Sequence, residues 1–307
     1  MAKAFPAFEH RPGQVSMMQA VAQSLNEGRH SIVEAGTGIG KSIAYLLPSI
    51  FFALRNNTHI VVSTNTINLQ EQLMNKDIPD LLQALGMIQS ETPLDLRVAQ
   101  LKGRHNYLCL RQWNSWRKSP GLPQEEIKFL VRTLVWLSSP STGDRGEINL
   151  AGSEAILWNR ICASEDNCTP QQCPYYKNGC FLYHARREAE KAHLIIVNHA
   201  LLLSDLVKSK ILPEYSHLII DEAHHLEEAA TEQLGYQIGQ PDVLDDLNRI
   251  SGRGGVLFLL ENSLRRISIA PLRRKEIEQK VERLEERVQA AQSEVFRFFD
   301  ILTYFVR

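Results

Sequence analysis

The run Ser31-Ile-Val-Glu-Ala-Gly-Thr-Gly-Ile-Gly-Lys-Ser42 constrains the fold more than any other stretch of the chain. Its Ile32-Val33 pair suits a buried strand, Gly36, Gly38 and Gly40 let the backbone curl without steric cost, and Lys41-Ser42 opens a helix. Strand, glycine-rich turn and helix in that order make a phosphate-binding loop, where backbone N–H groups converge on an anion at the positive end of a helix. Ala35, Gly36, Thr37, Gly38, Ile39 and Gly40 would cradle the phosphates, Lys41 would reach the β- and γ-phosphates, and Ser42 would ligate Mg²⁺. The expected cofactors are therefore ATP and Mg²⁺.

Such a loop needs carboxylates at the end of a neighbouring strand. Leu218-Ile-Ile220 reads as that strand and runs into Asp221-Glu-Ala-His224. Asp221 can hold Mg²⁺ through water, and Glu222 can polarise the attacking water as general base. Two more apolar runs, His59-Ile-Val-Val-Ser-Thr64 and Leu194-Ile-Ile-Val197, read as buried parallel strands. Ahead of the loop, Pro12 starts a helix with its apolar stripe at Val15, Met18, Val21, Ala22 and Leu25. Arg11 and Gln14 lie at its start, and a Gln amide there can hydrogen-bond adenine.

Lys and Arg number 34 against 35 Asp and Glu, so any nucleic-acid footprint must be local. One candidate is the turn Asn65-Thr66, which reads equally as a helix cap or as a phosphate-backbone site. Another is the segment 97–118. It carries Arg97, Lys102, Arg104, Arg111, Arg117 and Lys118 between Tyr107, Trp113 and Trp116, either a single-strand contact surface or a solvated basic face. After it, a helix is expected near Glu125 to Leu137, followed by a loop from Ser138 to Gly146.

Four of five cysteines follow as Cys162-x5-Cys168-x4-Cys173-x6-Cys180, with Cys109 well upstream. Thiolates at these spacings suit zinc or an iron–sulfur cluster about equally, with a chance cluster of free thiols as the remaining reading. The N-terminus carries no apolar signal region, and the longest apolar run, Ile43 to Leu54, is broken by Pro48, so a soluble, cytoplasmic protein is expected. From Arg265 onward, Ile277, Val281, Leu284, Val288, Ala291, Val295, Phe298, Leu302 and Phe305 form the seam of a helical hairpin or coiled coil. Arg307 falls in mid-pattern without a helix stop signal, which leads us to expect a truncated product.

Arg11-Pro-Gly-Gln14, the loop Glu34–Ser42, Thr64-Asn-Thr66, Gly103-Arg-His-Asn-Tyr-Leu-Cys109, the later cysteines, Val197-Asn-His199 and Asp221-Glu-Ala-His224 occur together in one order. That order resembles the iron–sulfur DEAH helicases of superfamily 2, the DinG type and its relative XPD, over nearly the whole chain. The resemblance implies a RecA-like α/β motor domain on a parallel sheet (residues 1–101 and 191–225). It also implies an inserted [4Fe-4S] domain (102–190) and a helical arch (226–307). It selects Cys109, Cys168, Cys173 and Cys180 as cluster ligands and leaves Cys162 as a small buried hydrophobe. It further implies that His224 couples nucleotide state to a second motor domain. Thr64, Asn65, Thr66, Arg104, Asn198 and His199 would contact single-stranded DNA or DNA junctions during 5′-to-3′ unwinding in repair or replication.

The departures matter as well. No Ser-Ala-Thr type motif follows the Asp-Glu-Ala-His box, and no second RecA-like domain with an arginine finger is present, so these 307 residues alone should turn over ATP poorly. A monomer without membrane contact is expected. Two rival readings are a catalytically silent module that binds nucleotide and single strand, and a zinc-stabilised P-loop ATPase acting on RNA or protein.

Overall fold

The computed structural model describes residues 11–36, 38–88, 95–139, 141–165, 168, 170–208, 211–235, 238–252 and 255–306. They divide into two compact units, residues 1–235 and 236–307.

In the first unit, α1 (Pro12–Glu27) and α2 (Lys41–Asn56) precede β1 (Ile60–Thr64). Next, α3 (Ile67–Gln72) passes through a π-helical turn at Leu73–Asp77 into α4 (Ile78–Ile88), and β2 (Val98–Gln100) follows. The chain then makes a long excursion through α5 (Leu110–Trp116), α6 (Gln124–Leu137), α7 (Ser153–Trp158) and α8 (Phe181–Ala189). It returns as β3 (Leu194–Asn198), α9 (His199–Lys208), β4 (His217–Ile220) and α10 (Leu226–Leu234).

All strand pairs are parallel, in the order β2-β3-β1-β4. Both faces of this sheet are covered, which is why its strands read as near-continuous apolar runs. Ile60, Val62, Leu194 and Ile196 point to the side of Tyr45, Leu46 and Ile50 of α2 and Leu81 and Leu85 of α4. Val61, Ile195 and Val197 point to the other, against Leu201 and Leu202 of α9 and Ala189 of α8. Residues 110–162 build a separate core around Trp113, Trp116, Phe129, Leu130 and Trp158.

The three longer predicted strands form as expected, and α6 lies where the sequence places it. The strand expected at Ile32-Val33 does not form. Ile32 is fully exposed, Val33 is 40% exposed, and neither pairs with the sheet. A two-residue run gains strand stability only from a partner edge and a covering layer, and among the described residues the outer edge of β4 stays unpaired. β2 was not anticipated, because three residues of modest hydrophobicity leave little periodic signal.

The second unit contains α11 (Gln240–Ser251), α12 (Val256–Arg266) and the 36-residue α13 (Pro271–Val306). α11 and α12 both pack on α13. Val281 and Val288 of the predicted seam are buried there, and Ile277, Ala291 and Val295 are half-buried, whereas Leu284, Phe298, Leu302 and Phe305 are exposed. α10 packs on α9, so the first unit runs to residue 235, beyond the expected boundary at 225. No described helix is long and apolar enough to cross a membrane.

Candidate functional site

Parallel strands present their carboxyl ends on one side of a sheet, and β1 and β4 are neighbours, so the turns after Thr64 and Ile220 emerge together. The Asp221 N–H donates to the Ser63 carbonyl at 2.8 Å, fixing the Asp-Glu box beside the end of β1. Opposite stands the start of α2. Gly38 and Gly40 have φ of 80° and 82°, left-handed values that favour glycine. A Cβ on Gly40 would lie 2.3 Å from Gln14 Nε2.

Lys41 Nζ donates to Glu222 Oε1 at 2.6 Å. This hydrogen bond holds the Glu222 carboxyl below its ordinary range and raises the lysine. Glu222 itself has φ of 53°, a left-handed conformation that costs a non-glycine residue about 1–2 kcal/mol. Asp221 accepts from the Tyr45 hydroxyl at 3.1 Å, and burial pushes its carboxyl up, against the pull of that bond and of Lys41. The His224 ring nitrogen is 3.5 Å from Glu222 Oε2, and the imidazole is mostly exposed. Loop, lysine and both carboxylates thus lie together, with Ser42 on the first turn of α2. Thr37 lies outside the described residues.

Arg11 and Gln14 both reach back to the phosphate loop. Arg11 donates to the Gly38 carbonyl, and the largely buried Gln14 donates to the Gly40 carbonyl at 3.0 Å. Their geometry braces the phosphate loop, and an adenine contact would fall to their remaining polar atoms.

Two of the predicted nucleic-acid contacts are corrected by burial. Thr64 and His199 are fully buried, and His199 Nδ1 is 2.8 Å from Ser63 Oγ. Burial also lowers the imidazole's pKa, favouring the neutral ring. Asn198 Oδ1 accepts from Leu201 N at 3.0 Å and so starts α9. Thr66 caps α3 by accepting from Leu69 N at 3.2 Å, yet it remains exposed, with Asn65 half-buried beside it. Arg104 pairs with Glu165 at 3.5 Å.

The aromatic half of the 97–118 surface is likewise corrected. Tyr107, Trp113 and Trp116 are 3%, 5% and 6% exposed, so they are core residues rather than a platform for bases. Arg117 lies over Trp113 and Arg160 over Trp116, closing the rings from solvent. Lys102 is buried too, in an ion pair that the sequence did not reveal.

None of the five cysteines forms a disulfide. Cys162 is 3% exposed, with its sulfur 3.7 Å from His105 Nδ1, and burial pushes its pKa up. The other four are half-buried, Cys109 and Cys180 directly before α5 and α8. Burial raises the Cys180 thiol, and Cys168, Cys109 and Cys173 are near enough to raise it further. Among the described residues no three His, Cys, Asp or Glu side chains are gathered tightly enough to hold a single metal ion.

Two family models match the chain, DEAD/DEAH box helicase over residues 11–103 and DEAD_2 over residues 165–243. The first spans the phosphate loop and Thr66, the second spans Cys168 to Cys180 and the Asp-Glu-Ala-His box. The chain is 32% identical over its whole length to a Bacillus subtilis protein named 3'-5' exonuclease DinG. It is 35% identical, over 80% of its length, to the ATP-dependent DNA helicase YoaA of Escherichia coli. It is 39% identical, over 72%, to the ATP-dependent helicase DinG of Mycobacterium tuberculosis. The chain is a homologue of the DinG- and YoaA-type helicases. It spans about a third of these relatives, 32%, 38% and 35% of their respective lengths. A solved structure described as XPD_Helicase aligns over 96% of the chain and 51% of its own, at 15% identity and a TM-score of 0.45, too remote to bear on the fold.

Proposed function

We propose that this chain is the nucleotide-binding part of an ATP-dependent DNA helicase, with its first unit a RecA-like motor domain. The observation that carries the reading is the meeting of Lys41, Asp221 and Glu222 at the carboxyl ends of two adjacent parallel strands. The DinG and YoaA relatives supply the class of activity. Lys41 would bind the phosphates of ATP, and Glu222, released from Lys41, would orient the attacking water. Ser42 and Asp221 would hold Mg²⁺, which supplies charge neutralisation at the phosphates. His224, exposed beside Glu222, would signal to a second motor domain.

For the cysteines, the reading favoured is a [4Fe-4S] cluster on Cys109, Cys168, Cys173 and Cys180. Thiolates are the ligands such a cluster takes, and these four half-buried cysteines lie near enough for Cys168, Cys109 and Cys173 each to raise the Cys180 thiol. Thr66 and Asn65 remain the best strand contacts, on single-stranded DNA or a junction, in 5′-to-3′ unwinding during cytoplasmic DNA repair or replication. The test is Lys41→Ala in a protein of the relatives' full length. Single-strand-stimulated ATP turnover should vanish, and unchanged turnover would overturn the phosphate-loop assignment.

A further inference from the structure

Lys102 is a lysine buried to 3% side-chain exposure, at the point where the chain leaves β2 for the cysteine-bearing excursion. Its ammonium is 2.9 Å from Glu71 Oε1 on α3 and 2.5 Å from Asp144 Oδ2 in the loop before α7. A buried cation is tolerated only when paired, so both carboxylates are held to it. The preceding residue of α3 is fastened to the same place. Gln70 is fully buried and donates to the carbonyls of Leu101 and Ile196 at 3.2 Å each. Thus α3, whose first turn is capped by Thr66, is pinned at its far end to residues 101 and 102.

The loop carrying Asp144 is bound to the cysteine domain. Gly143 accepts from Leu108 N at 2.9 Å, next to Cys109, and Asp144 bridges to Tyr107. Gly146 permits the close approach, since a Cβ there would lie 2.9 Å from Glu71 Oε1 and 3.4 Å from Lys102 Nζ. Beyond Gln70 and Glu71, α3 gives way to the π-helical turn, a rare irregularity that is frequent at functional sites.

We infer that Lys102 is a positioning residue that carries seating of a strand at the Thr66 end of α3 to the loop 141–148 of the cysteine domain. The inference rests on the strand-contact reading of Thr66. Glu71 and Asp144 meet on one ammonium, so a shift of α3 moves the charge that holds the loop. The triad carries two negative charges to one positive, and loss of the Lys102–Asp144 pairing cuts the ionic tie between α3 and the loop.

The experiment is hydrogen–deuterium exchange on this chain with and without oligothymidylate, in the wild type and in Asp144→Asn. Asparagine keeps an acceptor for Gly146 N, which now bonds Asp144 Oδ1 at 2.9 Å, so the loop's own turn survives. In the wild type the oligonucleotide should slow exchange in 66–72 and in 141–148 together. In Asp144→Asn the slowing should persist in 66–72 and be lost in 141–148, with exchange in α6 unchanged. Slowing of both segments in the variant, or of 66–72 alone in the wild type, overturns the inference and leaves the strand contact standing. No response at 66–72 in the wild type removes the strand contact and the relay with it.

Discussion

Lys41 Nζ and Glu222 Oε1, 181 positions apart in sequence, are 2.6 Å apart in space. The residue that would bind phosphate and the residue that would activate water are each other's partners. A phosphate entering the loop would therefore compete with Glu222 for the ammonium, and success would free the carboxylate for water. Glu222→Gln should weaken that competition. ATP should bind this chain a few-fold more tightly by fluorescence titration, since a half-exposed pair is worth about 1 kcal/mol at most. Turnover in a protein of full relative length should fall by about a hundredfold or more.

Gly40→Ala tests the loop's backbone. The left-handed φ and the 2.3 Å approach of Gln14 Nε2 both oppose a Cβ. ATP binding should be lost in the titration. The double variant with Gln14→Ala removes the clash and keeps the φ penalty of about 1–2 kcal/mol, so it should recover binding only in part.

Acid should destabilise the first unit through its buried histidines. His193 Nδ1 accepts from Arg97 N at 3.1 Å, and burial, then the Arg97 charge, holds the imidazole below its ordinary 6.5. Its neutral form is the one the fold prefers. The unfolded chain thus binds the extra proton first, and stability is fully present above pH 6.5 and falls as pH drops toward the lowered value. Urea midpoints should fall between pH 7.5 and 5.5, and less so in His193→Asn, where the amide oxygen still accepts from Arg97.

Trp116 donates to Glu126 at 3.0 Å from within the core that residues 110–162 build. Trp116→Phe should lower the melting temperature and leave affinity for oligothymidylate unchanged. Trp158, fully buried and bonded to the His105 carbonyl at 2.8 Å, is more costly to lose. Trp158→Ala should destabilise by about 3–5 kcal/mol in urea titration.

The metal reading separates Cys162 from its neighbours. Protein purified without oxygen should be brown, with about four irons per chain by elemental analysis. Cys173→Ala should lose the colour, whereas Cys162→Ala should keep it, because that sulfur faces His105 and Asn159 in an apolar core.

The meeting of Lys41 with Asp221 and Glu222 was legible because it depends on residue types that few other structures demand in that order: glycines before Lys41, and carboxylates after an apolar strand. The β-branched runs at Ile60 and Leu194 were legible for a similar reason, since only a sheet covered on both faces repeats them. Ile32-Val33 misled because a strand is a property of a pair, and the sequence names only one member. Trp113 and Trp116 misled because an aromatic among arginines reads alike on a surface and over a core, and only burial separates the two. Lys102 was illegible for want of any local mark, its partners lying 31 residues before it and 42 after.

The excursion from β2 to β3 has a mechanical consequence. The two strands are adjacent and parallel, with Val98 opposite Leu194 and Gln100 opposite Ile196. The chain departs from the carboxyl end of one and returns at the amino end of the other. Tension applied through the excursion is thus delivered to opposite ends of one seam and loads it in shear. Its hydrogen bonds share the strain together instead of parting in sequence like a zip, so the short β2 can hold the excursion against a pull.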